Sequence, residues 1–456
     1  MSPRLPDRRQ FLGQSAAWLA AAAALDHDLF AAPAAARISG RQLQLANGLV
    51  EAIWITAPGG LRLQQVRDLR RGRKLDGTGP VALLTISGAA VDITSLPVTN
   101  IRRSSLAPRP NAANFAERLP GQQLSATLRD PAGRFEILWQ ALLRQGSHYI
   151  RQQITITAQS SDLPLQQVVL LDLTHPGLAV QGTVKGSPVS TSGGWFFGFE
   201  HPLSQSTLAH GRAQCALSHP LPLRAGQSAV YSSVVGAFSQ GQLRRDFLAY
   251  LERERAHPYR PFLHYNSWFD LGYFTPYDQA GCLDVIAAFG AELAHKRRVQ
   301  LSSFLFDDGW DNHKDWGFNS GFPDGFTPLK AATASLGAGP GVWLSPWGGY
   351  GKPRQERLAN GRALGYEINR GGLALSGPVY YKVFHQACVD MVARYGINQV
   401  KLDGTGSTAE VVPGSAFGSD LEAAIHLISD LRALKPGLVI NPTPGTYPSP
   451  FWLRYA

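Results

Sequence analysis

The sequence predicts a multidomain β plus α/β protein, in which an all-β domain is followed by a parallel α/β domain. Its 456 residues exceed the usual size of one hydrophobic core, so we expect more than one domain. From 37 to 240, short runs of alternating apolar and polar residues are separated by turn residues, which is typical of antiparallel strands. Beyond 261 the pattern changes to strand, glycine-rich loop and helix, repeated, which is typical of a parallel sheet.

Composition restricts the possible partners. Hydrophobic residues make up 44% of the chain, which favours a packed globular protein. The net charge is +10, but only 67–74 approaches a basic cluster and no basic stripe with interleaved aromatics appears, so we expect no nucleic-acid partner. Three cysteines, Cys215, Cys282 and Cys388, are far apart and form neither a metal-binding spacing nor a disulfide framework.

Residues 1–36 have the pattern of a twin-arginine signal peptide. Arg8 and Arg9 precede a short apolar run over 15–25 and an alanine-rich stretch where a signal peptidase could cut. The apolar run is too short to span a membrane. We therefore expect export to the periplasm or beyond, with the membrane only a transient partner. An alanine-rich N-terminal helix is the alternative, because charged residues over 26–28 interrupt the run.

The region 37–240 is predicted to be a large β-sandwich. The stretch 42–54 alternates around Asn47-Gly48, which indicates a hairpin. No amphipathic helix of convincing length precedes Leu243. Further strands are predicted at 81–93, 124–128, 135–143, 149–158, 168–173 and 229–238.

The region 261–456 is predicted to hold about five units of a (β/α)8 barrel. A helix over 242–256 ends at a proline-containing stretch, so we assign 241–260 to a linker. Large loops after each predicted strand favour a barrel. The predicted strands are 262–269, 300–306, 341–344, the run ending at 402, and 438–441, and the predicted helices are 277–297, 353–364, 380–395 and 420–434.

The most informative stretch is the one that ends at Asp403. A run through Val400 and Leu402 reads as a buried strand and stops at this carboxylate, which is followed by glycines. The carboxyl end of a barrel strand is where catalytic groups are presented. Lys401, two residues earlier, points to the same side of the strand. The alternative is an aspartate that caps a helix or forms a turn.

A second candidate group follows the strand that ends at Phe306. Asp307 and Asp308 are adjacent acids able to accept hydrogen bonds from vicinal hydroxyls, and the indole of Trp310 could pack on the C–H face of a sugar. The alternatives are a metal site, for which His313 is a nearby candidate ligand, or a helix cap with a spare acid. Further tryptophans at strand ends are Trp268, Trp343 and Trp347, which could form a binding surface or part of the core.

Other reaction classes lack their motifs. The chain has no glycine-rich phosphate loop leading into a helix and no Gly-x-Ser-x-Gly elbow. Acid-base and nucleophilic chemistry by carboxylates on a sugar is the remaining interpretation.

Four motifs together resemble the α-galactosidase clan, and glycoside hydrolase family 36 in particular. The likeness covers about 40–456, and that family has a β-supersandwich before its (β/α)8 barrel. The motifs are Asn266-Ser267-Trp268, Phe306-Asp307-Asp308-Gly309-Trp310, Gly341-Val342-Trp343-Leu344-Ser345-Pro346 and Val400-Lys401-Leu402-Asp403.

The resemblance implies a retaining mechanism on an α-linked oligosaccharide or glycoconjugate. Asp403 matches the nucleophile and Lys401 a lysine that contacts sugar hydroxyls. Asp307 and Asp308 match the pair that holds the O4 and O6 hydroxyls of galactose. Trp268 and Trp343 match aromatic residues of the pocket wall. Neither a metal nor an organic cofactor is expected.

Two departures leave the substrate open. Trp347 stands where the family often has glutamate, and 441–445 lacks the cysteine that helps to read C2 of the sugar. An α-N-acetylgalactosaminidase, a raffinose-synthase-like transglycosidase and a non-catalytic secreted sugar-binding protein therefore remain alternatives.

The resemblance also implies that the general acid/base is not in the chain. Residues 260–456 are fewer than the roughly 250 of a full barrel. A retaining glycosidase needs a second carboxyl group about 5 Å from the first, and in the family it comes from the sixth strand. We therefore expect a C-terminally truncated sequence that is inactive as written. In the alternative, a genuinely short protein, Glu410 or Asp420 would serve as the acid.

Overall fold

A computed structural model describes residues 33–57, 60–77, 81–272, 275–404, 412–443 and 448–456. Within them the protein consists mostly of β-sheets with a few helices, and an antiparallel region precedes a parallel one, as predicted. The predicted twin-arginine motif lies outside the described residues. The strand Ala35–Ser39 begins inside the predicted signal segment, and Ala36 is buried in the core. The predicted boundary at residue 36 falls within the first two residues of this strand and stays a prediction.

The described residues of the antiparallel region form three sheets around one hydrophobic core. Trp54 and Trp139 meet edge to face in that core, with ring centroids 5.3 Å apart. The strands are β1 Ala35–Ser39, β2 Gln42–Ala46, β3 Val50–Ala57, β4 Gly60–Asp68, β5 Arg73–Asp76, β6 Leu83–Ile86, β7 Ala89–Asp92, β8 Val98–Leu106, β9 Gly121–Arg129, β10 Phe135–Arg144, β11 Tyr149–Ala158, β12 Leu165–Thr174, β13 Leu178–Val180, β14 Val189–Thr191, β15 Trp195–Phe199, β16 Gln205–Ala209, β17 Arg212–Ser218 and β18 Ser228–Ala237. Their orders are β1-β2-β3-β4-β5, β13-β14-β15-β18-β11-β10-β9-β8 and β16-β17-β12-β6-β7.

The predicted hairpin at Asn47-Gly48 is confirmed. Strands β2 and β3 pair antiparallel, with Gln42 opposite Ile55. The side-chain oxygen of Asn47 accepts hydrogen bonds from the backbone N–H groups of Leu49 and Val50, each at 3.0 Å. Asparagine is favoured in such turns because its short polar side chain satisfies backbone donors there. The Asn-Gly pair that predicted the turn therefore contains the asparagine that stabilises it.

A buried charge network joins the large sheet, the linker helix and the last turn of the described chain. Helix α1 spans Leu243–Glu254, and a 3₁₀ turn spans Pro450–Arg454. The carboxylate of Glu200 has no exposed side-chain surface and accepts hydrogen bonds from Arg151, Arg454 and Tyr250. Burial alone would raise the pKa of this carboxyl, but Arg151 and Arg454 outweigh it and lower the pKa to about 2. The network therefore holds a charged glutamate inside the protein.

We expect Glu200→Gln to lower the free energy of unfolding by about 3 kcal/mol at pH 7, because it leaves buried arginines short of a partner. Since the pKa of Glu200 is lower in the folded state than its ordinary 4.5, its stabilisation is present above about pH 4.5 and is lost as the pH falls towards 2. Urea unfolding from pH 7 to 3 should show the gap between wild type and variant closing. Glu292→Gln, which alters an exposed pair, is the control. A gap that stayed constant with pH would contradict this assignment.

The parallel region is a five-stranded half-barrel sheet with the order β19-β20-β21-β24-β25. Its strands are β19 His264–Asn266, β20 Ser303–Phe306, β21 Gly339–Leu344, β24 Gln399–Leu402 and β25 Val439–Pro442, and β22 Ile368–Asn369 and β23 Gly372–Leu373 form a separate small hairpin. Because the five strands run parallel, their carboxyl ends meet at one edge. That edge carries the residues singled out by the sequence.

The helices of the parallel region follow the strands as predicted, with one addition. They are α2 Gln279–Phe289, α3 Thr327–Ser335, α4 Gly351–Ala363, α5 Pro378–Ala393 and α6 Asp420–Leu434. Helix α3 was not predicted, and it begins with a proline in its first turn. A π-helical segment, Gly290–His295, continues α2. Among the described helices, none has the length and apolar character of a membrane span.

The cysteines are all free and buried, in agreement with the absence of a disulfide framework in the sequence. Burial raises the pKa of the Cys215 thiol to about 11. These thiols are therefore poor nucleophiles and serve as apolar core residues.

Candidate active site

Asp403 lies directly after β24, and side chains from two neighbouring strand ends fix its carboxylate. The indole N–H of Trp343, in β21, donates to Oδ2 at 3.0 Å. The hydroxyls of Tyr350 and Thr443 donate to Oδ1 at 3.0 Å and 2.6 Å. The Asp403 side chain remains 12% exposed. Three donors therefore hold this carboxyl group in one orientation at the carboxyl edge of the sheet.

The Tyr350 hydroxyl stays a hydrogen-bond donor to Asp403 at neutral pH. Burial and the neighbouring Asp403 carboxylate raise the pKa of the Tyr350 hydroxyl above its ordinary value. The phenol thus stays protonated and keeps its hydrogen bond to Asp403.

Lys401 connects the two groups of acids that the sequence singled out. Its ammonium nitrogen lies 2.8 Å from Oδ2 of Asp307 and 3.7 Å from Oδ2 of Asp403. Lys401 and Asp403 thus lie on the same side of β24, as predicted. The Lys401 side chain is 17% exposed, whereas that of Asp307 is 1% exposed. The backbone N–H of Asp307 donates to Ser267, which ties this acid to the end of β19.

Asp308 is engaged differently from what the sequence predicted. Its Oδ1 accepts from Nη2 of Arg357, on α4, at 2.5 Å, and the same nitrogen donates to Asp311 at 2.6 Å. Arg357 and both acids are buried. Asp308 is therefore committed to an internal ion pair, and the prediction that it binds a sugar hydroxyl needs correction. Burial of the carboxyl opposes its ionisation, so an adjacent cation is required.

Arg357 also bears on the alternative that these acids bind a metal ion. Ligand atoms of Asp308, Asp311 and His313 lie within 4.8 Å of one another, which is close enough to hold an ion. However, the Arg357 guanidinium donates to both carboxylates and supplies the positive charge that a metal would bring. Nδ1 of His313 is engaged with Glu356 at 2.7 Å. These residues fit a fixed arginine better than a metal ion.

Two of the predicted sugar-binding tryptophans lie inside the protein. Trp310 is 0% exposed, packs against Phe318 and Phe326, and donates its indole N–H to the carbonyl of Trp343. Gly309, with φ +131°, turns the chain so that Trp310 enters the core. The prediction that Trp310 contacts a sugar is therefore wrong. Trp343 is 1% exposed and its indole N–H donates to Asp403, so the structure does not support the predicted role of an open pocket wall.

The remaining tryptophans of the strand ends are only partly buried. Trp268 lies in the 3₁₀ turn Ser267–Phe269 that follows β19. Trp347 packs edge to face against Tyr350, with ring centroids 5.9 Å apart. Both therefore keep accessible surface at the carboxyl edge of the sheet, and the role of Trp268 stays a prediction.

Asp420, an alternative general acid, has a structural role. Its Oδ1 accepts from the backbone N–H and the hydroxyl of Ser376, at 2.8 Å and 2.7 Å, and its Oδ2 accepts from Asn369 at 2.8 Å. It is buried at the start of α6. The alternative of Asp420 as the acid is therefore not supported. Glu410, the other alternative, lies outside the described residues.

Sequence reasoning missed three residues that touch the site. Tyr350 and Thr443 follow strand ends, and the rule that selected Asp403 and Asp307 could have found them. Arg357 lies in the middle of α4. It carries no local signal, because only the packing of that helix against the sheet brings it to Asp308.

Fold and site together define a parallel half-barrel with a hydrogen-bonded carboxylate at its carboxyl edge, preceded by antiparallel sheets. No protein-family model matches the sequence, and no curated protein does. Among solved structures, the chain is similar to the galactosidase domain of the α-galactosidase-sucrose kinase AgaSK, with a TM-score of 0.61, 14% identity, and coverage of 92% of this chain and 74% of that one.

Two further similar structures are family 36 α-galactosidases from Geobacillus stearothermophilus. For AgaB the TM-score is 0.57 at 15% identity, with coverage of 92% of this chain and 74% of that one. For a variant of AgaA in complex with raffinose the TM-score is 0.55 at 14% identity, with coverage of 91% and 74%. The chain therefore has the fold of glycoside hydrolase family 36 α-galactosidases.

Proposed function

We propose that this protein is a retaining α-glycosidase that removes terminal α-galactosyl groups from oligosaccharides, with Asp403 as its nucleophile. The observation that carries the proposal is the carboxylate of Asp403, held by Trp343, Tyr350 and Thr443 and still partly exposed beside Lys401. A carboxylate fixed in one orientation, with an accessible edge, suits attack on an anomeric carbon. The fold and the raffinose bound to the similar AgaA support the choice of substrate class.

In the proposed reaction, an oxygen of Asp403 forms a bond to the anomeric carbon while the bond to the leaving oxygen breaks, and that oxygen takes up a proton from a general acid. We assign no described residue to this acid, which would take a proton back from the attacking water in the second step. The resulting glycosyl ester is hydrolysed by water at the same carbon, so two inversions give net retention. The hydrogen bonds from Trp343, Tyr350 and Thr443 keep the carboxylate aligned during both steps. Lys401 can donate to a sugar hydroxyl from its position between Asp307 and Asp403.

α-Galactosyl fluoride tests this proposal, because its reaction with the nucleophile does not need a general acid. Fluoride leaves without being protonated, so only a nucleophile is needed to form the glycosyl ester. We expect a hexosyl adduct in the intact mass of the protein, located on the peptide that contains Asp403. α-Glucosyl fluoride, which differs only at C4, should label much more slowly if the site reads galactose.

The outcomes separate the alternative functions. Labelling by an N-acetylgalactosaminyl donor in preference to the galactosyl fluoride would replace the substrate assignment. Binding of galactose in calorimetry without any adduct would overturn the enzymatic proposal in favour of a sugar-binding protein. Transfer to an added acceptor sugar, detected by product analysis, would identify a transglycosidase.

A further inference from the structure

We propose that Arg357 is a positioning residue for the nucleophile, acting through Trp343. The inference rests on the proposed function, because it takes Asp403 to be the nucleophile. The guanidinium carbon of Arg357 lies 5.1 Å from the ring centroid of Trp343 and 4.9 Å from that of Trp316. One cation thus contacts two indole rings, and one of them donates to Asp403.

Hydrogen bonds from its nitrogen atoms also fix the position of the Arg357 guanidinium. Nη2 donates to Asp308 and Asp311, Nε donates to Asp311 at 3.0 Å, and Nη1 donates to the carbonyl of Gly348 at 3.1 Å. Burial alone would lower the pKa of Arg357, but Asp311 and Asp308 raise it above its ordinary value. The group is therefore a permanent, immobile cation, and its planar shape suits stacking on aromatic rings.

The second indole is fixed as well. Trp316 donates its N–H to the hydroxyl of Tyr380 at 3.1 Å, and Tyr380 is wholly buried. Trp343 is held on its backbone by Trp310, whose indole N–H donates to its carbonyl at 3.1 Å. The plane of the Trp343 ring is therefore set by Arg357 on one side and by its own strand on the other.

The consequence for Asp403 follows from the chemistry of the indole. A cation next to an indole is attracted to its ring electrons, and the attraction is largest where water is excluded. It draws electron density from the ring and makes the N–H a better donor. Tyr350 and Thr443 both donate to Oδ1, whereas Trp343 donates to Oδ2 at 3.0 Å. Among the described residues, the other charged group near Oδ2 is the ammonium of Lys401, at 3.7 Å, beyond hydrogen-bond distance. Arg357 therefore helps to set the rotation of the carboxylate.

A different role for Arg357 would be only to neutralise Asp308 and Asp311. The two roles predict different results for Arg357→Lys, which keeps the charge but loses the planar group. A neutralising role predicts lower stability and an unchanged bond between Trp343 and Asp403. A positioning role predicts a change at Asp403 as well.

The first experiment is a double-mutant cycle on the rate of labelling by α-galactosyl fluoride. We expect Arg357→Lys to slow labelling about 100-fold, the scale of a small misplacement of a reacting group. Trp343→Phe should slow it by at least as much, and the double variant should be no slower than Trp343→Phe alone. Arg362→Lys, on the exposed side of the same helix, is the control. If the two substitutions slowed labelling independently, so that their fold-changes multiplied in the double variant, the inference would be overturned.

The second experiment does not depend on turnover. In the full chain labelled with ¹⁵N-tryptophan, the indole N–H resonance of Trp343 is assigned by its loss in Trp343→Phe. We expect Arg357→Lys to shift it upfield, towards a weaker hydrogen bond, as Asp403→Ala does, and Arg362→Lys to leave it in place. If Arg357→Lys fails to fold, Asp311→Asn, which weakens the hold on one edge of the guanidinium, should still move the resonance.

The two experiments separate the inference from the proposed function. An unchanged Trp343 resonance in the Arg357 and Asp311 variants overturns the positioning role, whether or not the wild-type protein forms an adduct. Absence of an adduct in the wild type overturns the proposed function, while the resonance still decides the role of Arg357.

Discussion

Replacement of Asp403 by alanine is expected to slow labelling by α-galactosyl fluoride by about a millionfold, the scale on which hydrolases lose activity when a covalent nucleophile is removed. The reason is that Asp403 supplies the atom that forms the new bond, and the residues that hold it cannot replace it. Trp343 and Tyr350 offer only donors at that position. Release of fluoride ion, followed with an electrode, measures the rate.

Added azide tests the same role of Asp403 through the product that it forms. In Asp403→Ala the space left by the carboxylate opens to small anions, and azide can attack the anomeric carbon from that face. We expect added azide to restore part of the fluoride release and to give β-galactosyl azide, which is inverted because only one displacement occurs. A protein that merely binds the sugar would give no such product.

The control for this prediction is Asp284→Ala, which removes an exposed carboxylate from α2. It should label at the wild-type rate. Normal labelling of Asp403→Ala would remove Asp403 from the mechanism, and labelling at another residue would locate the true nucleophile. Circular dichroism spectra of the variants must match for the comparison to hold.

The sequence was sufficient to place Asp403, Lys401 and Asp307 together, because the rules involved are local. An apolar run that stops at an acid and glycines predicts a strand end, and alternation along a strand puts Lys401 and Asp403 on one side. Parallel pairing then brings separate strand ends to one edge. The structure confirms the pairing, with Trp343 opposite Lys401 in neighbouring strands.

The wrong predictions for Trp310 and Asp308 arose because the direction of a side chain in a turn is not set by local rules. Trp310 and Asp308 belong to the same short motif as Asp307, but adjacent residues of a turn point in different directions. Gly309 takes φ +131° and sends Trp310 into the core. Asp308 meets Arg357, which is 49 residues away along the chain. Neither direction is encoded in the spacing of the motif, since that of Trp310 depends on the backbone at Gly309 and on packing against Phe318 and Phe326, and that of Asp308 on how α4 packs against the sheet.

Lys401→Met is expected to lower both stability and labelling rate, because it removes the cation between two carboxylates. Lys401 lies 2.8 Å from the buried carboxylate of Asp307, which would be left as a charge without a counter-ion. Breaking such a pair costs about 3 kcal/mol of folding free energy. The side chain would also no longer donate to a sugar hydroxyl, so we expect labelling to slow by about a thousandfold. Urea unfolding and fluoride release measure the two effects separately.

A second substitution distinguishes the two roles of Lys401. In Asp307→Asn/Lys401→Met the more deeply buried carboxylate, that of Asp307, is no longer left without its counter-ion, so most of the lost stability should return. The labelling rate should not return, because Lys401, which we propose donates to a sugar hydroxyl, is still absent. Lys382→Met, on the exposed side of α5, is the matched control and should alter neither quantity. If the double variant were as unstable as Lys401→Met, the ion pair would not explain the loss. If it labelled normally, Lys401 and Asp307 would have no part in holding the sugar.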